Sequence, residues 1–128
     1  MRDRFAAARI ARLATADALG RPHLVPVTFA VVGDSVVIAV DHKPKTSRNL
    51  KRLRNIEANQ QVSLLVDHYD EDWTRLWWVR ADGVARVLTV DPVAIAALQA
   101  KYQQYQEIPP TGPVIRVDVH TWRDWSYA

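Results

Sequence analysis

The chain has 128 residues, of which 48% are hydrophobic, and 17 Lys and Arg against 14 Asp and Glu give a formal net charge of +3. This length and composition predict one globular domain over residues 1–128 and exclude an intrinsically disordered chain. The absence of cysteine excludes disulfides, cysteine-ligated metals and thiol catalysis. No apolar run approaches the roughly 18 residues of a membrane span, and no secretory signal is recognisable, so we expect a cytoplasmic protein without a membrane span.

The first forty residues are predicted to form a short helix and three strands, over residues 3–9, 10–16, 23–32 and 35–40 in that order. The polar stretch 17–20 between the first two strands indicates a hairpin turn. Pro26 cannot donate to a strand ladder, so its strand is expected at a sheet edge or a bulge. Residues 35–40 are almost continuously apolar, which is typical of a strand buried on both faces.

A helix is predicted over residues 48–58, with Thr46 or Ser47 as its N-cap and an apolar face formed by Leu50, Leu53 and Ile56. A strand over 62–69 and an acidic loop over 70–72 follow. Residues 76–90 then predict either one long strand or a hairpin that turns at Asp82-Gly83.

Asp91 and Pro92 are suitable residues to cap and begin another helix, because a carboxylate accepts from free backbone amides and proline fits the first helical position. Its apolar stripe is expected to be Ile95, Leu98, Tyr102 and Tyr105. Residues 114–122 alternate as a half-exposed strand, with Ile115, Val117, Val119 and Thr121 on one side. The whole pattern favours a mainly β fold, an antiparallel barrel of six or seven strands with peripheral helices.

Residues 43–54 concentrate the positive charge of the chain, with six cations within twelve positions. Lys43, Lys45 and Arg48, together with the hydroxyls of Thr46 and Ser47, surround the predicted N-terminus of a helix. Side-chain charges, the helix dipole and free backbone amides there converge on one place, a combination that binds phosphate. A solvated basic surface is the alternative interpretation.

Trp77 and Trp78 are adjacent on a predicted strand and therefore point to opposite faces. One of them is expected in the core and the other at an interface or a ligand cleft, and we place Trp78 at the cleft. Four histidines are present, and the acidic residues around His68 lack a glycine at the turn and match no calcium-loop spacing, so no metal site is expected. The sequence shows no hydrolase triad, P-loop or dinucleotide-binding glycine motif.

Several segments, in their order along the chain, resemble the pyridoxamine 5′-phosphate oxidase-like split β-barrel flavoproteins. They are residues 21–29 (RPHLVPVTF), 43–50 (KPKTSRNL) and 62–66 (VSLLV). Residues 72–83 (DWTRLWWVRADG) look like the signature of a subfamily within the branch that uses the deazaflavin coenzyme F420. Ser47 is an extra residue relative to the family pattern, so which of Ser47 and Arg48 touches phosphate stays open.

The resemblance implies a split β-barrel homodimer with two cofactor clefts at its interface and a site shared between subunits. By similarity, the residues along the cofactor ring and its ribityl chain are His23, Pro26, Val27 and Thr28. The phosphate would be held by Lys43, Lys45, Thr46, Ser47, Arg48 and Asn49. Lys51 or Arg52 is a further candidate, for the acidic tail of F420.

The predicted function is hydride transfer between reduced coenzyme F420 and a small unsaturated or planar substrate. Because that chemistry belongs to the cofactor, no catalytic residue is assigned, and solvent, His42 and Tyr127 all stay open as the proton source. An FMN-dependent oxidoreductase of the same fold and a non-enzymatic binder of flavin, deazaflavin or haem are the alternatives. Nucleic acid is not an expected partner, because the net charge is modest and no recognition motif is present.

Overall fold

The computed structural model describes residues 1–40 and 48–127. Within these ranges the chain forms seven strands, namely β1 (Ala11–Ala16), β2 (Pro22–Val27), β3 (Ala30–Val32), β4 (Ser35–Ala39), β5 (Gln61–His68), β6 (Trp77–Leu88) and β7 (Val114–Ser126). The helices are α1 (Arg2–Ala7), α2 (Arg48–Ala58), α3 (Pro92–Lys101) and α4 (Gln103–Glu107), with a 3-10 turn at Trp73–Arg75. No helix in the described part is long and apolar enough to cross a membrane.

The seven strands form one antiparallel sheet in the order β2-β1-β5-β6-β7-β4-β3. Val27 from one end of this order and Val36 and Ile38 from the other end belong to the same buried cluster, so the sheet curls around its core. Phe5 of α1 and Ile56 of α2 complete that cluster. The prediction of a mainly β antiparallel barrel of six or seven strands with peripheral helices is confirmed, and the described ranges contain seven strands.

The β1–β2 hairpin forms as predicted, and its turn is built by one aspartate. The Asp17 carboxylate accepts hydrogen bonds from the backbone amides of Leu19 and Arg21, at 2.9 Å each, and from the Arg21 guanidinium at 2.7 Å. Gly20 takes a φ of 80°, a conformation that residues with a Cβ adopt only at a cost. Strand β2 lies at the sheet edge, which confirms the placement expected from Pro26.

Strand β4 is buried along its whole length, as its apolar run predicts. Val36 and Ile38 face the barrel core, whereas Val37 and Ala39 face a second cluster under α3 that includes Ala94 and Leu98. Asp91 caps α3 by accepting from the Ala94 amide at 3.1 Å, which confirms the predicted start of that helix. The helix ends at Lys101, so the single helix expected through Tyr105 is wrong in its continuity. The side chains of Ile95, Tyr102 and Tyr105 still pack against the second cluster.

Residues 77–88 form one long strand, so the alternative of a hairpin at Asp82-Gly83 is wrong. Asp82 pairs with Thr121 and Gly83 with Val119, which leaves His120 as the extra residue of a β-bulge in β7. The bulge reverses the alternation of the strand. Trp122, rather than the predicted Thr121, therefore turns its side chain to the core, where its ring meets Phe5 edge-on at 5.2 Å.

Candidate cofactor site

The predicted strand over residues 23–32 breaks at Thr28-Phe29, between β2 and β3. Two tyrosines from the α3–α4 region supply hydrogen-bond partners at this break. The Tyr102 hydroxyl accepts from the Phe29 amide at 3.2 Å and donates to the Arg9 carbonyl at 2.7 Å. The Tyr105 hydroxyl shares a hydrogen bond of 2.7 Å with the Thr28 hydroxyl. The break is thus held by side chains more than seventy positions later in the chain.

Phe29, at the same break, is fully buried and packs in the barrel core. Its ring lies 5.0 Å from the ring of Phe5, and the Lys101 ammonium lies 3.7 Å above its centre. That ammonium has no hydrogen-bond partner among the described residues. Burial, with a smaller contribution from the charge of Arg9, lowers the pKa of Lys101 to about 8. Burial also raises the pKa of Tyr102, so its phenol remains a proton donor at neutral pH.

A cavity of about 260 Å³ opens at the end of β2. Its lining residues come from four parts of the fold: Pro26, Val27, Thr28, Ile38, Ala39, Arg52 and Tyr105. Four of these residues are apolar, but more of the exposed lining is polar than apolar, and its polar side-chain groups are two hydroxyls and one guanidinium. Burial lowers the pKa of Arg52, but a guanidinium stays charged at physiological pH. A flat, partly apolar group with a phosphate fits this combination of donors.

Three of the four predicted ring-contacting residues, Pro26, Val27 and Thr28, line this cavity. The fourth, His23, lies on the same strand but pairs with Thr15 further along it, and it does not line the cavity. Its Nδ1 atom is buried without a hydrogen-bond partner in the described part of the chain. Nearby, the buried Asn55 of α2 donates to the Thr15 hydroxyl at 3.1 Å. The structure therefore separates His23 from the other three residues.

The predicted phosphate-binding residues fall largely outside the described ranges. This applies to Lys43, Lys45, Thr46 and Ser47, and with them to the predicted N-cap; His42, one of the possible proton sources, also lies outside those ranges. Arg48 and Asn49 are the first residues of α2, whose bounds are those predicted from the sequence. Further along α2, Ile56 is buried and Leu53 packs against the core, whereas Lys51 and Arg54 are exposed.

Trp77 and Trp78 point to opposite faces, as predicted: Trp77 packs against the core. Trp78 does not line the 260 Å³ cavity. It lies on the surface of the sheet that faces away from the core, which we call the outer face, formed by Arg12, Leu24, Leu65, Trp78, Arg80 and Trp125. Within one chain, the structure therefore does not bring Trp78 together with Pro26, Val27 and Thr28.

The outer face carries a concavity of about 450 Å³, with a mostly apolar lining that includes Ala14, Leu24, Leu65 and Trp78. Ion pairs flank it, between Arg12 and Asp67 at 3.3 Å and between Arg80 and Asp82 at 2.9 Å. Partial burial of Asp82 opposes its ionisation, but hydrogen bonds from Ser63 and Arg80 outweigh this effect and lower its pKa. Large apolar side chains remain in contact with solvent here, since Leu24 is 66% exposed and Trp125 43%.

Sequence reasoning missed the contribution of Tyr105 and of the helix break beside it. The spacing of Tyr102 and Tyr105 matches an apolar stripe, and both side chains do pack against the second cluster. Nothing in that spacing indicates that their hydroxyls reach Thr28 and Phe29. Arg52 was considered only for an acidic cofactor tail, because a helical pattern alone does not show which cation turns toward a cavity.

An antiparallel seven-stranded sheet that curls around one core, with helices at its periphery, is a split β-barrel. The sequence model of the pyridoxamine 5′-phosphate oxidase family matches residues 1–126. The chain belongs to this family. Comparison with curated protein sequences finds no match.

Solved structures of low sequence identity share the fold. A conserved hypothetical protein, Rv2991, from Mycobacterium tuberculosis is 20% identical with a TM-score of 0.74, over 98% of this chain and 81% of that protein. HutZ, the heme storage protein from Vibrio cholerae, is 20% identical with a TM-score of 0.69, over 97% and 90%. An FAD-binding protein from Mycobacterium smegmatis is 21% identical with a TM-score of 0.64, over 97% and 92%.

Proposed function

We propose that this chain is an oxidoreductase, folded as a single domain over residues 1–128, that transfers hydride between reduced coenzyme F420 and a small unsaturated or planar substrate. The observation that carries the proposal is the cavity at the end of β2. There Pro26, Val27 and Thr28 lie beside Arg52 of α2, a helix whose first half belongs to the basic residues 43–54. When bound, the deazaflavin supplies a hydride at its C5 position.

The chain itself binds and orients the cofactor in this proposal. Pro26 and Val27 give an apolar wall for the ring, and Thr28 and Tyr105 offer hydroxyls at its edge. Lys43, Lys45, Thr46, Ser47, Arg48 and Asn49 hold the phosphate by charge-assisted hydrogen bonds and by the helix terminus. His23 does not line the cavity and would contact the ribityl chain where that chain extends along β2. Its buried Nδ1 atom has no hydrogen-bond partner among the described residues and is a suitable group for that contact.

The cations of α2 favour F420 over FMN, because F420 is the more negatively charged cofactor. Its tail carries a phosphodiester and several glutamates. Lys51 and Arg54 are both exposed and stand three positions apart on α2, so they share one side of the helix. Arg52 turns instead toward the cavity. Beyond Arg48, the helix thus offers one cation to the cavity and two to the exposed surface outside it, where they could bind an acidic tail.

Two related functions use the same fold. An FMN-dependent oxidoreductase needs the phosphate site but no cations for a tail. A non-enzymatic binder of flavin or haem is suggested by the FAD-binding and heme-storage proteins that share the architecture. Two measurements distinguish these alternatives from the main proposal: which cofactor binds, and whether the bound cofactor turns over.

The direct experiment is a titration of the protein with oxidised F420, FMN and haem, followed by the fluorescence of its five tryptophans. Micromolar binding of F420 with much weaker binding of FMN supports the proposal and is followed by a screen of enone and quinone substrates. Preference for FMN assigns the flavin alternative. Binding of haem alone, or of F420 without turnover across the screen, assigns the non-enzymatic alternative.

The phosphate assignment predicts the effect of one substitution. Lys45→Ala is expected to weaken F420 binding by about 1–3 kcal/mol, because it removes a charge-assisted hydrogen bond. Arg86→Ala is the matched control, since Arg86 is an exposed cation on β6 whose partner is Asp118, away from the cavity. Equal Kd values for the two variants, measured by fluorescence titration, would show that Lys45 does not hold the phosphate.

We further propose that the outer face joins two copies of the chain. Leu24, Leu65, Trp78 and Trp125 form an apolar surface there that a partner would remove from water. Arg12 on this face pairs with Pro26 in the sheet, and Pro26 also lines the cavity, so the two concavities adjoin the same edge strand. A second copy on this face brings its own residues close to the cofactor, and this is how Trp78 would join the site.

Leu24→Asp is expected to convert such a dimer to monomers, because it buries a carboxylate among apolar side chains. Sedimentation velocity of the wild-type protein and the variant gives the measurement. Leu19→Asp is the control, since Leu19 is 78% exposed in the β1–β2 turn and outside the face. A wild-type protein that sediments as a monomer at micromolar concentration contradicts the dimer.

A further inference from the structure

We propose that Tyr105 is a positioning residue of the cofactor site, and that it acts by fixing the hydroxyl of Thr28 so that this hydroxyl donates a hydrogen bond into the cavity. The acceptor on the bound group is a carbonyl oxygen at the edge of a flavin or deazaflavin ring. This inference rests on the proposed function, because it needs such a ring to bind beside Thr28.

The position of Thr28 in the chain makes its side chain dependent on a partner. The residue follows the last residue of β2 and precedes the break at Phe29, so no ladder residue stands opposite it in the sheet. A threonine hydroxyl rotates about its Cβ–Oγ1 bond and orients to suit its surroundings. The bond of 2.7 Å to the Tyr105 hydroxyl is what gives it one orientation.

The hydroxyls of Tyr105 and Thr28 together can offer one hydrogen-bond donor to a ligand. Each hydroxyl has one proton, and the bond between them uses one of the two. The two oxygen positions allow either direction. Because a phenol is the more acidic hydroxyl and therefore the stronger donor, we assign Tyr105 as the donor and Thr28 as the acceptor. The proton of Thr28 is then left without an acceptor among the described residues and, because both residues line the cavity, it is available to a ligand there.

The hydroxyls of Tyr102 and Tyr105 have different kinds of hydrogen-bond partner. Tyr102 bonds to backbone groups on both sides, the Phe29 amide and the Arg9 carbonyl, and so it holds the chain in place. Tyr105 contacts Thr28 through the side chain, and in the part of the chain that the structure describes its hydroxyl bonds to no backbone group. Its ring is kept in position by the ring of Tyr102, edge-on at 5.6 Å. A purely structural role thus belongs to Tyr102, and the hydroxyl of Tyr105 is left with a role at the cavity.

The test is a double-mutant cycle with Tyr105→Phe, Thr28→Val and the double variant, in which F420 and FMN binding are measured by tryptophan fluorescence. Each single substitution is expected to weaken binding of the preferred cofactor about 3–10-fold, as for one lost hydrogen bond. The double variant is expected to bind no more weakly than Thr28→Val, because the two hydroxyls act as one unit. The visible absorption maximum of the bound cofactor should shift to the same new position in all three variants, since they lose the same hydrogen bond to the ring.

Two further variants separate positioning from structural support. Tyr102→Phe is expected to lower the melting temperature more than Tyr105→Phe while leaving the absorption maximum of the bound cofactor unchanged. Tyr69→Phe, at an exposed position, should change neither property. An unchanged Kd and spectrum for Tyr105→Phe, or additive effects of the two substitutions, would overturn the inference while leaving the proposed function standing. A wild-type protein that binds neither F420 nor FMN overturns both.

Discussion

Replacing Phe29 with alanine is expected to lower the free energy of unfolding by about 3–5 kcal/mol, the usual cost of removing a buried phenylalanine ring. The ring is fully buried and contacts Phe5 on one side and the Lys101 ammonium on the other. Its removal leaves a cavity, and the Lys101 ammonium also loses the ring beneath it. The segment that follows β2 then loses its anchor, so cofactor affinity should fall together with stability.

Urea denaturation of the wild-type protein and variants measures this effect. Phe29→Leu keeps most of the buried volume and should cost about a third as much, because the loss scales with the volume of the cavity that remains. Trp73→Ala removes an even larger ring, but from a side chain that is 61% exposed, so it should change the free energy of unfolding by under about 0.5 kcal/mol. A loss below about 1 kcal/mol for Phe29→Ala would mean that the ring is not an anchor of the site.

Local patterns were enough to predict most elements of this fold. The bounds of α2, the fully buried β4, the capped start of α3 and the β1–β2 turn all follow from the residues within each element. In each case the periodicity or cap that predicts the element also stabilises it. Prediction from sequence succeeds there because no distant residue overrides the local preference.

The features that sequence reasoning missed depend on distant partners. Apart from Pro26, the residues from 23 to 32 are typical of a strand, and the break at Thr28-Phe29 is held by tyrosines more than seventy positions away. Similarly, Asp82-Gly83 carries a local signal for a tight turn, although the chain continues through it as one strand opposite the bulge in β7. The choice between turn and strand is made by β5 and β7, which pair with β6 on both sides of this point.

In the candidate site, too, local sequence predicts some residues, and distant contacts place others. The resemblance of residues 21–29 to a known family placed Pro26, Val27 and Thr28 together, and all three line one cavity. Tyr105 reaches that cavity only because α3 ends at Lys101 and a new helix begins two residues later. The sequence between residues 92 and 107 contains no proline after Pro92 and no glycine to mark this break. Because tertiary packing places the Tyr105 hydroxyl at the cavity, no local sequence pattern predicts its position.

Gly83→Ala is expected to destabilise the protein by about 3 kcal/mol, through a backbone clash rather than through the loss of a contact. A Cβ at this position would stand 2.5 Å from the Asp118 carbonyl oxygen and 2.8 Å from Cγ1 of Val117, closer than such atoms approach in proteins. Relief requires β7 to move, but Gly83 is paired with Val119 of β7 and with Val62 of β5. The strands on both sides therefore resist the shift.

Gly33→Ala provides the matched comparison, because it adds the same methyl group at a glycine with open space around it. Its φ of 58° lies in the left-handed region, so alanine there should cost only about 1–2 kcal/mol. Chemical denaturation of both variants should therefore rank Gly83→Ala as clearly the less stable. The opposite ranking would mean that β7 adapts easily at the bulge and that Trp122, which the bulge turns toward the core, is not fixed by the backbone at Gly83.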